Sequence, residues 1–176
     1  MRLFVSVPVP SELREKVSAL GEEISGDGII PVSAGNMHLT LKFIGEAGPH
    51  DAEEVRKKLS AVGFRKFECR VVGVGVFPHA GFVRVVWAGV DSGGALEALA
   101  GSIGDALRGY GADDRFTAHL TIARVKRKAD MSAFLRRHEK ELFGSFTVER
   151  FELMESVLGG GGGPRYSVLE SFGSRG

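Results

Sequence analysis

Apolar positions recur along this chain in two rhythms. Leu3, Val5 and Val7 alternate with Phe4 and Ser6, so Arg2–Pro8 reads as a strand. Leu13, Val17, Leu20 and Ile24 then fall at helical spacing, which predicts a helix over Ser11–Ile24 with Gly26 as its stop. A strand follows over Met37–Gly45 and a helix over Asp51–Val62, whose acidic opening suits the positive end of a helix dipole. Phe67–Phe77 and Phe82–Val90 are β-rich and flank Pro78-His79-Ala80-Gly81, a hairpin turn by composition. Gly94–Tyr110 and Met131–Leu142 carry helical patterns on either side of a strand over Phe116–Val125. Two last β runs, Phe146–Leu158 and Tyr166–Phe172, flank Gly159–Gly163 and Pro164. Five consecutive glycines do not suit an element interior, so this tract is expected to be a flexible connection.

Strands and helices thus intermingle over short loops, with no linker long enough to part independent domains. The pattern predicts an α+β fold with largely antiparallel sheets, built as a single domain over residues 1–176. Composition narrows the setting. No apolar run approaches the roughly 20 residues that a spanning helix needs, and the N-terminal apolar stretch runs straight into charge like a strand, unlike a signal peptide. Cys69 is the single cysteine, which leaves no intramolecular disulfide and no cysteine-cluster zinc site. A cytoplasmic, monomeric protein is expected. The net charge of +1 is low for a protein that grips long nucleic acid by its backbone. The charge is uneven, however: Arg124, Lys126, Arg127 and Lys128 crowd together, with Arg136 and Arg137 beyond. That run is either a solvated face or the basic mouth of a binding groove.

One internal echo carries chemistry: His38-Leu39-Thr40-Leu41 and His119-Leu120-Thr121-Ile122. In a strand, residues i and i+2 share a face. Each segment therefore sets a histidine and a threonine on one side and two aliphatic residues on the other. Imidazole titrates near neutrality, so it can give or take a proton. In-line opening of a phosphodiester needs a base on the attacking oxygen and an acid on the leaving oxygen, roles that two facing histidines can fill. Threonine hydroxyls can donate to the phosphate oxygens whose charge grows. A single His-x-Thr says little, since threonine favours strands anyway; two copies half a chain apart say much more. Few carboxylate or cysteine companions accompany either histidine, so no metal site and no cofactor are expected.

With these motifs the chain resembles the two-histidine phosphoesterases, and within them the RNA 2′,3′-cyclic phosphodiesterases, also called the bacterial and archaeal 2′-5′ RNA ligase (LigT-like) family. The resemblance runs from the N-terminal strand through Asn36–Glu46, Val76-Phe77-Pro78, Arg84–Val90 and Phe116–Arg124 to Gly163-Pro164-Arg165-Tyr166, in the family's order. Ala118 stands where the family usually has proline, and the Gly159–Gly163 tract is long for its loop. The resemblance implies a bilobal fold with pseudo-twofold symmetry, its mostly antiparallel sheets lining a central groove and its helices outside. It implies metal-independent hydrolysis of RNA 2′,3′-cyclic phosphate ends to 2′-phosphates, with RNA ends or cyclic nucleotides as substrate. His38 would be the acid on the 3′ oxygen and His119 the base on water, although the sequence itself does not say which is which.

The resemblance also places Arg124 at the substrate, yet strict alternation from His119 points it to the opposite face, so a bulge or strand end is required. Phe43, at the matching offset after His38, is expected in the core, as is Trp87. Phe77, Phe82, Trp87 and Tyr166 are the aromatics that could stack a terminal base; of these, Phe77 and Tyr166 are taken as substrate-binding. His50 and His79 are expected to be exposed or capping, His138 to lie on a solvated helix face, and Cys69 to be buried and inert. Two other readings stay open: reversible 2′-5′ ligation through the same groups, and a non-catalytic binder of RNA ends.

Overall fold

The computed structural model describes residues 1–161 and 163–176. Its elements are β1 (Arg2–Val7), α1 (Ser11–Glu23), β2 (Ile29–Pro31), β3 (Leu39–Glu46), α2 (Pro49–Ser60), β4 (Phe67–His79) and β5 (Phe82–Asp91). Then come α3 (Ala95–Ala106), β6 (His119–Val125), α4 (Ser132–His138), β7 (Leu142–Val148), β8 (Arg150–Gly159) and β9 (Gly163–Gly173). The strands form two sheets, ordered β3-β1-β8-β9 and β2-β6-β5-β4-β7. Every pairing within them is antiparallel, as the alternating patterns require.

Burial explains the elements. Leu13, Val17 and Leu20 place one stripe of α1 against β6 and β7 of the second sheet. Leu96, Leu99 and Ile103 do the same for α3, which packs on β3 of the first sheet. Helix α3 starts where Ser92 Oγ accepts the Leu96 N–H at 2.8 Å. The buried side chains of both sheets join in one cluster, with Val5, Leu39, Leu120, Ile122 and Leu153 fully enclosed. β1 is buried along nearly its whole length because it is flanked by β3 and β8.

The structure departs from the sequence reading in four places. The helix expected to run to Leu142 ends at His138, and Leu142 instead opens β7, which pairs along β4. The run Phe146–Leu158 divides at Glu149, because β7 belongs to one sheet and β8 to the other. Pro78 and His79 stay paired with Val83 and Phe82, so the hairpin turn shrinks to Ala80-Gly81. The short β2 pairs Ile29–Pro31 with the far end of β6 and is too brief to show a period. Gly159 and Gly163 pair as the ends of β8 and β9; Gly162, within the tract expected to be a flexible connection, lies outside the described residues. No helix among the described residues is long and apolar enough to cross a membrane.

Candidate active site

The two motifs stand on different sheets. His38 immediately precedes β3 and His119 is the first residue of β6. Leu39, Leu41, Leu120 and Ile122 are buried, as the alternation requires, and their anchorage turns the histidines and threonines the other way. His38, Thr40, His119 and Thr121 all line one cavity of about 670 Å³. Its remaining wall is the α3 face through Ala100, Gly101 and Gly104, with residues 112–117 of the following loop. That loop is fastened to β3: Lys42 Nζ donates to Ala112 O at 3.1 Å and lies 3.8 Å from Asp113 Oδ1. Gly111 adopts a φ of +71° there, and a Cβ would run into the Phe43 carbonyl.

A matched irregularity follows each motif. Thr40 pairs with Ser6 and Lys42 with Val5, leaving Leu41 as an extra residue. Thr121 pairs with Trp87 and Ala123 with Val86, leaving Ile122 as the extra one. Each bulge resets the side-chain parity of its strand. Arg124, which simple alternation sends to the opposite face, is therefore exposed on the His119 and Thr121 side, beyond the rim of the cavity. Phe43, at the same offset in β3, was expected in the core; the bulge leaves it 66% exposed and lining the cavity.

Both imidazoles are oriented by main chain. His38 Nδ1 lies 2.9 Å from Met37 O, and His119 Nδ1 lies 2.6 Å from Thr117 O. A carbonyl can only accept, so Nδ1 carries the proton in each ring, and the lone pair of the neutral ring sits on Nε2. The Nε2 atom of His38 is shielded from solvent and has no hydrogen-bond partner among the described residues, a cost that a ligand donor or acceptor would relieve. Burial, with the positive charge of Arg14 as a second cause, pulls the His38 pKa down to about 4. Arg14 donates to Val9 O and Ala34 O at 3.0 and 2.8 Å, which holds it beside the segment leading into His38. Burial lowers His119 too, opposed by its hydrogen bond to Thr117.

Aromatic rings cluster against each imidazole. Tyr166 meets His38 edge-on with centroids 4.5 Å apart, Phe4 stacks on it at 5.7 Å, and these two rings lie 5.4 Å from each other. Phe77 meets His119 edge-on at 5.1 Å, with Trp87 at 6.4 Å. Phe77 and Tyr166 thus touch the histidines themselves and do not form the cavity wall. Trp87, expected in the core, is half-buried beside His119, and it fits there because Gly75 opposite has no Cβ to strike the indole. His138 is a further correction. It is buried, not solvated, and its Nε2 lies 2.8 Å from Glu23 Oε2, because α4 packs inward on Phe134 and His138. His50 and His79 are exposed and Cys69 is buried, as expected, with burial pushing the thiol up to about 12. Sequence reading missed Arg14 and the loop wall; only the fold brings them to the site.

Known proteins share this fold. The model of the 2′-5′ RNA ligase superfamily matches residues 9–160. The chain belongs to that superfamily. It is 42% identical to an Archaeoglobus fulgidus protein named RNA 2′,3′-cyclic phosphodiesterase, covering 98% of this chain and 99% of the relative. A Thermus thermophilus protein of the same name is 36% identical, covering 100% of this chain and 91% of that one. Among solved structures, a Thermus thermophilus protein superposes with a TM-score of 0.80 at 32% identity, over 100% and 99% of the two chains. Apo LigT of E. coli gives 0.80 at 25% identity, over 98% and 96%. The same LigT has been crystallised with phosphate, again at 25% identity, with a TM-score of 0.79 over 98% and 96%. The superfamily thus shares the α+β, antiparallel framework on which the two His-x-Thr motifs stand.

Proposed function

We propose that this protein is an RNA 2′,3′-cyclic phosphodiesterase that opens the cyclic phosphate by paired imidazole catalysis, as one two-lobed unit with a histidine from each sheet. The observation that carries the reading is the pair of anchored rings. Two histidines from different sheets line one cavity, each with Nδ1 committed to a carbonyl and Nε2 without a hydrogen-bond partner among the described residues. Water attacks phosphorus in line with the 3′ oxygen, and His119 Nε2 takes its proton. The P–O3′ bond breaks while protonated His38 delivers a proton from Nε2 to O3′, leaving a 2′-phosphate. The phosphate monoanion of the substrate offsets Arg14 and so favours the charged form of His38, which burial and Arg14 otherwise disfavour. Thr40 and Thr121 donate to the non-bridging oxygens, and Arg124 supplies positive charge from the same face. Phe77 and Tyr166 pack against the imidazoles and fix their planes. The name of the Archaeoglobus relative supports the substrate class. The family description favours a second reading of the same groups, ligation, in which a 5′-hydroxyl replaces water as the nucleophile: P–O5′ forms as P–O3′ breaks, leaving a 2′-5′ phosphodiester and a free 3′-hydroxyl. We place the protein in the cytoplasm as a monomer, in keeping with its single cysteine.

The test is incubation with each 2′,3′-cyclic nucleotide in the presence of EDTA, with the product isomer identified by phosphorus NMR. A 2′-phosphate is expected, formed at the same rate with and without chelator. A 3′-phosphate, no turnover, or turnover that needs an added metal ion would overturn the reading.

A further inference from the structure

We infer that a second cavity, between the tip of the β4–β5 hairpin and residues 126–130, is a non-reacting RNA site that holds the nucleotides 5′ of the cyclic end. The inference rests on the cyclic phosphodiesterase reading and adds where the rest of the substrate runs. The cavity measures about 980 Å³ and is lined by Phe82 and Arg84 on one side and Lys126, Arg127 and Lys128 on the other.

Position comes first. Strand β6 leads from His119 through Thr121 and Arg124 to Lys126, a rise of roughly 20 Å at strand spacing. A nucleotide whose phosphate sits between His38 and His119 cannot span that length, but an oligonucleotide can. A third bulge keeps the route on one face. Phe77 pairs with Val85 and Pro78 with Val83, so Arg84 is the extra residue. Val83 accordingly turns into the core, while Phe82 and Arg84 are exposed. Chemistry comes second. Arg84, Lys126 and Lys128 have no carboxylate within 4 Å among the described residues. Phe82 is 51% exposed, and the Arg84 guanidinium stands 4.3 Å from its ring centroid. A planar cation lying over a half-exposed ring, among ammonium groups without carboxylate partners, matches a base and its flanking phosphates. Arg127 differs: its Nη1 is held 2.5 Å from Asp27 Oδ2, and its stem folds over Gly28. The cavity's one carboxylate, Asp130, is occupied by Ser132 N and Oγ at 2.9 and 2.5 Å.

Direction comes third. The other end of the groove presents Glu97, Asp105, Asp113 and Asp114. Four carboxylates there face three cations, of which Arg108 pairs with Asp105 at 3.2 Å and Lys42 lies near Asp113, while Arg115 has no carboxylate within 4 Å among the described residues. A polyanionic chain is repelled there and drawn across β5 and β6.

The test compares kcat/KM for a hexanucleotide ending in a 2′,3′-cyclic phosphate with that for the cyclic mononucleotide. Binding of a fluorescent hexanucleotide ending in a 2′-phosphate is followed alongside by anisotropy. The triple variant R84Q/K126Q/K128Q is expected to lower the hexanucleotide-to-mononucleotide ratio by about tenfold or more. It should flatten the log–log salt dependence of hexanucleotide binding by roughly 0.7 per lost contact. F82A should lower the same ratio without changing the salt slope, and R127Q should leave the ratio intact. A ratio unmoved by the triple variant, a wild type that binds hexanucleotide no better than mononucleotide, or an R127Q effect equal to that of the triple would overturn the site. Wild-type turnover of the mononucleotide judges the catalytic reading separately. Were that turnover absent, the anisotropy comparison would still decide the RNA site.

Discussion

At the scale of single residues, the proposed mechanism rests on two nitrogens. His38→Ala and His119→Ala should each lower kcat on a cyclic-phosphate end by about 10²-fold or more, as removal of a proton-transfer group does. Near wild-type turnover in either variant would contradict the paired mechanism. Thr40→Val and Thr121→Val keep the shape and remove one donor each, so milder losses are expected. The pH profile carries a sign that can be worked out. Both histidines, being buried, hold their proton less well than an ordinary imidazole, His38 down to about 4. The pair is therefore singly protonated in a window displaced toward acid, and the kcat/KM optimum should lie below about pH 6.5. Arg14→Gln removes one cause of that displacement, so the limb governed by His38 should move toward alkali. A purely structural role for Arg14 would lower the height of the profile without moving it. The identities of His38, Thr40, His119 and Thr121 were legible in the sequence because chemistry and alternation coincided there. Arg14 was not, since a guanidinium in an amphipathic helix is indistinguishable from a solvated one until its carbonyl partners are known.

At the scale of elements, the bulges decide which side chains reach the histidine face. Arg124→Ala should impair mononucleotide and oligonucleotide alike, in contrast to the cations further along the strand, because the extra Ile122 brings it to the histidine face. Steady-state kinetics on both substrates checks this. Gly75→Ala should drive the Trp87 indole off its seat beside His119 and lower kcat more than it raises KM. Strand periodicity alone could not have foreseen Phe43 on the cavity wall, for an inserted residue leaves no mark in a single sequence. The same holds for β7. Leu142 and Phe143 extend a helical pattern as readily as they begin a strand, and only pairing with β4 settles the choice. The α+β class and most element positions were legible because their buried faces run long enough to show a period.

At the scale of the whole molecule, α1 and α4 are tied across a long stretch of sequence. Glu23 receives His138 Nε2 at 2.8 Å and also pairs with Arg137. Glu23→Ala should reduce unfolding free energy by about 1–3 kcal/mol, by leaving a buried imidazole short of a partner, and should leave turnover of a cyclic mononucleotide as it was. Urea melts beside initial rates make the comparison. His138 misled the sequence reading because its neighbours Arg136, Arg137, Glu139 and Lys140 are all charged, and the inward turn of α4 is a tertiary fact.

The anchoring of the imidazoles has a consequence for how such a site drifts over generations. Many catalytic histidines are steered by a carboxylate, so a second gene position must be preserved along with the first. Here Met37 O and Thr117 O steer the rings, and every amino acid offers a carbonyl at those places. Substitutions at residues 37 and 117 can change the side chain freely, as far as packing allows, without erasing the tautomer. Only a change in backbone path can do so. The mutational target for losing imidazole orientation is accordingly small. Populations of variants should show tolerance at residue 117 beside near-intolerance at His119, a contrast that deep mutational scanning would reveal directly.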